Sequence, residues 1–137
     1  MDVAYEHSVT VELPYAEAVT RTREAPAEQG FGVPSEIDVQ AALREKRGVE
    51  MESYVILGAC NPDLAHRALD IDRSIGVLLP CNVVVSGHDR GAKVQIFDPL
   101  IMAAVMGREE LQSIAQDAAR RLQTVLDTLT TRTEEET

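Results

Sequence analysis

The side chains best suited to chemistry lie in two short segments. The first, from Cys60 to His66, reads Cys-Asn-Pro-Asp-Leu-Ala-His, and the second reads Pro80-Cys81-Asn82. Together they hold both cysteines and one of the three histidines of the chain. Each follows an apolar run, so these groups are expected where strands meet loops, a common place for functional residues. The candidate ligand-binding residues are Cys60, Asn61, His66, Cys81 and Asn82.

These residue types allow a metal site. Thiolates and an imidazole are ligands for zinc, copper or a haem-type iron, so Cys60, His66 and Cys81 form a candidate ligand set. Because structural zinc sites use four protein ligands, three residues do not make a structural zinc signature. A metal ion held by these three residues would have a fourth coordination position open to water, a substrate or a group from a second subunit. The sequence leaves the identity of any cofactor open.

Thiol chemistry and simple packing are the alternatives. Cys60 precedes a predicted helix start, where unpaired N–H groups and the helix dipole favour a thiolate. In a thiol-dependent enzyme or redox sensor, Cys60 would be the nucleophile, Cys81 the resolving thiol and His66 the base. Two further interpretations stay open. The cysteines are small buried hydrophobic residues, or a non-metal ligand binds in the cleft between sheet and helices.

Composition limits the class of protein. A chain of 137 residues has the size of one domain, and 45% hydrophobic residues suffice for a packed core. The net charge of −10 disfavours nucleic acids and anionic membranes as partners. The sequence has no apolar window long enough to span a bilayer, and residues 1–13 lack the features of a secretory signal. We therefore expect a cytoplasmic protein with reduced cysteines.

Hydrophobic periodicity predicts the element order β-α-β-α-β-α-β-β-α. Strands are predicted at 5–13, 31–39, 54–60, 92–97 and over the interrupted stretch 75–85. Helices are predicted at 14–30, 40–47, 62–70 and 109–129. Pro26 predicts a kink or an early end in the first helix, because proline removes a hydrogen bond there. Pro34 predicts an edge strand or a position outside the ladder.

This order predicts an α+β protein. We expect a two-layer sandwich with a mainly antiparallel sheet of about five strands and helices on one face. Residues 1–130 are predicted to form a single α+β domain, and residues 131–137 a polar C-terminal tail. The apolar stripe of the last helix needs cover, which the sheet can provide.

A set of ordered motifs resembles a known family. The motifs include Leu13-Pro14-Tyr15, Gly30-Phe31-Gly32-Val33, Gly58-Ala59-Cys60-Asn61-Pro62, the run from Leu78 to Val85, and Asp98-Pro99. The whole chain is similar to the bacterial and archaeal family known as domain of unknown function 302. The resemblance implies a fold similar to the TATA-binding-protein-like arrangement, with a curved antiparallel sheet and helices on one side. It also implies a homodimer, but no reaction.

Three functions follow as hypotheses. The leading one is a small dimeric binding protein whose ligand, or transition metal or haem-type group, contacts Cys60, His66 and Cys81. The first alternative is a thiol-dependent enzyme or redox sensor that uses the two cysteines. The second is a structural or partner-binding dimer without site chemistry. The dimer is motivated by the apolar run at 100–106 and by the sheet face that helices would leave uncovered.

Overall fold

The computed structural model describes residues 5–136, with the side chains of residues 5–130. Residues 1–4 and 137 of the predicted domain and tail lie outside the described residues. The strands are β1 Glu6–Val11, β2 Gly32–Asp38, β3 Tyr54–Cys60, β4 Cys81–His88 and β5 Gly91–Phe97. The α-helices are α1 Tyr15–Glu24, α2 Val39–Arg47, α3 Pro62–Ile71, α4 Pro99–Met106 and α5 Gln112–Glu136. Short 3₁₀ segments occupy Ala25–Gln29, Arg73–Leu78 and Glu109–Leu111.

The five strands form one sheet in the order β1-β5-β4-β3-β2, and every neighbouring pair is antiparallel. This arrangement confirms the predicted α+β sandwich. Strands β4 and β5 form the predicted hairpin. Strands β3 and β4 lie side by side in the interior of the sheet, so the end of β3 and the start of β4 meet at one edge. That edge carries both cysteines.

The core lies between the sheet and the helices. Alternate residues of β3 and β4 that face the helices are buried, such as Val55, Leu57, Val83 and Val85. The intervening residues Tyr54, Ile56 and Val84 are only half-buried, because they lie on the other face. The predicted stripe of the last helix is entirely buried: Leu111, Ile114, Ala115, Ala118, Leu122, Val125, Leu126 and Leu129.

The expectations for two prolines are confirmed. Helix α1 ends at Glu24, and Pro26 lies at the start of the 3₁₀ segment that follows. Its ring is buried, so it contributes to the core as well as ending the helix. Pro34 lies in β2, an edge strand, beside a register shift between Gly32 and Ser35. Because β2 is at the edge of the sheet, the missing N–H of Pro34 does not remove a hydrogen bond from between two central strands.

The predicted strand over residues 75–79 is wrong, because residues 75–78 belong to the 3₁₀ segment Arg73–Leu78 and only Leu79 is extended. The Asp72 side chain accepts a hydrogen bond from the Ser74 N–H at 2.9 Å and starts this turn. Ile75 then enters the core, whereas Val77 is 86% exposed. A short apolar run does not distinguish a strand from a helical turn, which explains the error.

Helix α4 is absent from the predicted order, although its boundaries follow ordinary capping rules. The Asp98 carboxylate accepts a hydrogen bond from the Leu100 N–H at 2.9 Å, and Pro99 occupies the first turn. Gly107 ends the helix with φ of +66°. The last helix is also longer than predicted: α5 runs through the predicted polar tail to Glu136.

Candidate functional site

A cavity of about 60 Å³ lies between the cysteine-bearing edge of the sheet and helices α3, α4 and α5. We call it the sheet-edge cavity. A cavity needs only about 10–15 Å³ to hold one water, so this space admits several water-sized groups. Its walls are apolar except for Cys60, Asn61 and Cys81. The structure thus brings three of the five candidate residues to one cavity.

Cys81 is the buried thiol of the cavity. It begins β4, pairs with Ala59 of β3 and is 8% exposed. Burial, and to a lesser extent the nearby Cys60, raises the pKa of Cys81 to about 11. The thiol is therefore neutral at pH 7, and a neutral thiol is a poor nucleophile and a poor metal ligand. This disfavours reactions that require a Cys81 thiolate.

Cys60 is the last residue of β3 and is half-buried. Successive strand residues point to opposite faces, and it is Ala59, not Cys60, that pairs with Cys81. Cys60 is thus one position beyond the residue that pairs with Cys81, and both cysteines border the cavity as free thiols.

Asn61 connects three elements around the cavity. As predicted, it caps α3: its Oδ1 accepts a hydrogen bond from the Leu64 N–H at 3.2 Å. Its Nδ2 donates to the Gln29 carbonyl at 3.2 Å, and Arg121 Nη1 of α5 donates to the same carbonyl at 3.0 Å. A Cβ at Gly30 would lie 3.0 Å from Asn61 Nδ2, so glycine permits this close approach.

His66 and Asn82 lie away from the cavity. The His66 side chain is 75% exposed on α3, with Nε2 3.5 Å from Asp70 Oδ2. Asn82 is exposed and pairs with Gly58 on the sheet face opposite to the helices. Among residues 5–130, whose side chains the structure describes, no three His, Cys, Asp or Glu side chains are placed to hold a metal ion. The predicted set of Cys60, His66 and Cys81 is therefore not assembled.

The prediction from sequence missed the walls that α4 and α5 supply. Pro99, Met102 and Ala103 line the cavity from α4. Ile114 lines it from α5, and Leu111 from the 3₁₀ segment just before α5. The available signal was the apolar run at 100–106, which we attributed to a dimer surface. Met102 is 6% exposed, so part of this run serves the interior of the chain.

A second observation concerns histidine outside the candidate set. His7 Nε2 lies 3.1 Å from Asp98 Oδ2, the residue that caps α4. This contact connects β1 to the start of the helix that covers the cavity.

In the part of the chain that the structure describes, no helix has the length and apolarity of a membrane span.

Comparisons with known proteins agree with this architecture. The family model described as domain of unknown function DUF302 matches residues 7–129. The chain belongs to this family. The crystal structure of an uncharacterised conserved DUF302 protein from Bacillus stearothermophilus is similar, with 31% sequence identity and a TM-score of 0.86. The similarity covers 93% of this chain and 99% of the Bacillus chain. The sequence matches no curated protein. DUF302 membership establishes the fold but assigns no reaction.

Proposed function

We propose that this protein binds a small organic molecule in the sheet-edge cavity. The observation that supports the proposal is a space of about 60 Å³ left unfilled between the sheet and three helices. Its walls are almost wholly apolar, so a ligand that fills the space removes apolar surface from water, which favours binding.

Small side chains from four elements keep the space open. A single larger side chain at one of these positions could fill it, as in ordinary close-packed cores. The alanines that line the cavity are Ala59, Ala65, Ala68, Ala103, Ala115 and Ala118. Cys60 and Asn61 border the space, and Cys81 adds a buried thiol to its wall.

Two neighbouring alanines of α4 provide a matched test. Ala103 lines the cavity and is half-buried, whereas Ala104 is exposed and does not line it. We expect Ala103→Leu to fill the cavity and weaken ligand binding at least about tenfold, while Ala104→Leu binds as the wild type does. The measurement is NMR titration of ¹³C-methyl methionine, because the Met102 methyl group reports on the cavity wall.

The titration uses a panel of small neutral, anionic and cationic organic molecules. Met102 is assigned with Met102→Leu, and melting curves verify that each variant is folded. If Ala103→Leu does not fold, Ala65→Val fills the same cavity from α3. Binding that survives the filling substitution, or a Met102 signal that no compound shifts, would contradict the proposal.

We also propose that the protein is a homodimer that pairs through the sheet face opposite to the helices. Ile37, Ile56 and Val84 are register partners in a row across this face. Ile37 is 56% exposed, and its two neighbours are half-buried. A standard interface covers about 1,600 Å² in total, so pairing two such faces would remove the row from water.

The dimer predicts twice the monomer mass of 15.0 kDa in light scattering at micromolar concentration. Ile37→Glu should weaken self-association at least about tenfold, because an unpaired carboxylate would be buried at the interface. Val49→Glu is the matched control, since Val49 is also an exposed apolar residue, at 43%. A monomer mass for the wild type, or equal effects of both substitutions, would overturn the choice of this face.

We further propose that the protein works in the cytoplasm and without a nucleic-acid partner. Two free cysteines fit a reducing compartment. A net charge of −10 opposes association with phosphate backbones.

A further inference from the structure

We infer that the ligand of the sheet-edge cavity is an uncharged, mainly apolar molecule. This inference rests on the proposed function and names the chemical class that the site accepts. It excludes the carboxylates, phosphates and ammonium compounds that make up many small metabolites.

The first argument is the absence of a counter-ion. The described residues that line the cavity include no Asp, Glu, Lys, Arg or His. The nearby charged side chains of α3 point elsewhere: those of Asp63, His66 and Arg67 are 78%, 75% and 50% exposed. An ion moved from water into such a space loses its hydration without gaining an opposite charge, which is far costlier than transfer of a neutral group.

The guanidinium groups of Arg108 and Arg121 already have hydrogen-bonding or ion-pair partners within the fold. Arg108 Nη1 lies 3.4 Å from Asp72 Oδ2, and its Nη2 lies 2.8 Å from Glu110 Oε2. Arg121 Nε donates to Asp117 Oδ1 at 3.1 Å, and its Nη1 donates to the Gln29 carbonyl. Recruiting either guanidinium for an anionic ligand would break contacts that the fold uses.

The second argument is the small hydrogen-bonding capacity of the walls. Each polar atom of the Asn61 amide already has one partner, the Leu64 N–H or the Gln29 carbonyl, so at most one N–H and one lone pair remain for a ligand. Cys81, whose pKa of about 11 keeps it protonated, offers only a weak S–H donor and a polarisable sulfur. A ligand with several polar atoms would leave them unpaired, at a cost for each of them.

The third argument is size. A space of about 60 Å³ is smaller than the roughly 150 Å³ apolar cavity that holds benzene in another protein. The buried part of the ligand is therefore a group of a few non-hydrogen atoms. Small groups gain little contact energy, so the cost of burying a charge cannot be offset by packing.

A matched set of three compounds tests this class: dimethyl sulfide, the dimethylammonium ion and acetate. The first two have nearly the same shape and differ in charge. By Met102 methyl shifts and saturation-transfer NMR, we expect dimethyl sulfide to bind at least about tenfold more tightly than either ion. The dimethyl sulfide signal should be lost in Ala103→Leu and kept in Ala104→Leu.

The outcomes separate the two proposals. Acetate or dimethylammonium binding as tightly as dimethyl sulfide, with the same sensitivity to Ala103→Leu, would overturn the neutral class and leave the cavity as a binding site. If none of the three compounds, and no larger member of the panel, shifts the Met102 signal, the proposal that the cavity binds a ligand is contradicted. The proposal of a neutral ligand class is then contradicted as well.

Discussion

Raising the pH from 9 to 11 should destabilise this protein by about 2 kcal/mol more than its Cys81→Ala variant. The reason is the buried thiol. In the unfolded chain, the Cys81 thiol has an ordinary pKa near 9.0, whereas burial and Cys60 raise its pKa in the folded protein to about 11.

The sign of the effect follows from proton binding. Well below pH 9 both states hold the proton, and the contribution of Cys81 to the free energy of unfolding is constant. As the pH rises through this window, the unfolded chain releases the proton and the folded protein keeps it. The folded state then binds more protons than the unfolded state, so stability falls with increasing pH.

Urea unfolding at several pH values between 8 and 11 measures the difference. The variant is essential, because burial and the nearby Asp38 and Glu36 also raise the pKa of Tyr15 above its ordinary value, so Tyr15 too makes stability fall as the pH rises. Tyr15 remains in both proteins, so the difference between them isolates Cys81. Parallel stability curves for the two proteins would show that the thiol is not buried as described.

Asn61→Ala should cost about 2 kcal/mol of stability, about twice the loss for Asp38→Ala. Both residues are helix N-caps: Asp38 Oδ1 accepts a hydrogen bond from the Ala41 N–H at 2.9 Å. Asp38 is exposed, however, whereas Asn61 is 7% exposed and also donates to the Gln29 carbonyl. Removing the Asn61 amide leaves a buried helix N–H without its partner.

Chemical denaturation of the two variants and the wild type provides the comparison. Asn61→Asp separates the two roles, because a carboxylate keeps the cap to the Leu64 N–H but cannot donate to the Gln29 carbonyl. We expect its stability to lie between those of wild type and Asn61→Ala. If Asn61→Ala and Asp38→Ala cost the same, then the link between α3 and the Gln29 carbonyl contributes nothing measurable.

Much of the fold could be predicted from the sequence, because hydrophobic periodicity, turn residues and capping residues indicate helices and strands locally. The stripe of the last helix, the hairpin of β4 and β5, and the cap at Asn61 are confirmed. The segment 75–79 and helix α4 were the failures. Both are short apolar runs, and their periodicity is too brief to separate a turn, a helix and a strand.

The candidate site could be predicted only in part. The sequence identified Cys60, Asn61 and Cys81 because each cysteine follows an apolar run. Cys60 ends β3 as predicted, whereas Cys81 begins β4, because the run before it is a 3₁₀ segment. It grouped His66 with them on the basis of proximity along the chain. Helix geometry decides otherwise: residues advance about 100° each, and Leu64, Ala65 and Ala68 use the face of α3 that meets the cavity. His66 therefore points to solvent.

By itself, the sequence determined most of the element types and the α+β class, because propensity, periodicity and capping act over a few residues. That both cysteines lie at one edge of the sheet depended on the pairing of β3 with β4. Only the tertiary structure decided which side chains share a cavity. The pairing of β3 with β4 brings Cys60, Asn61 and Cys81 to one cavity, and the packing of α4 and α5 completes the walls. These contacts join residues distant in the chain, and local patterns carry no information about them.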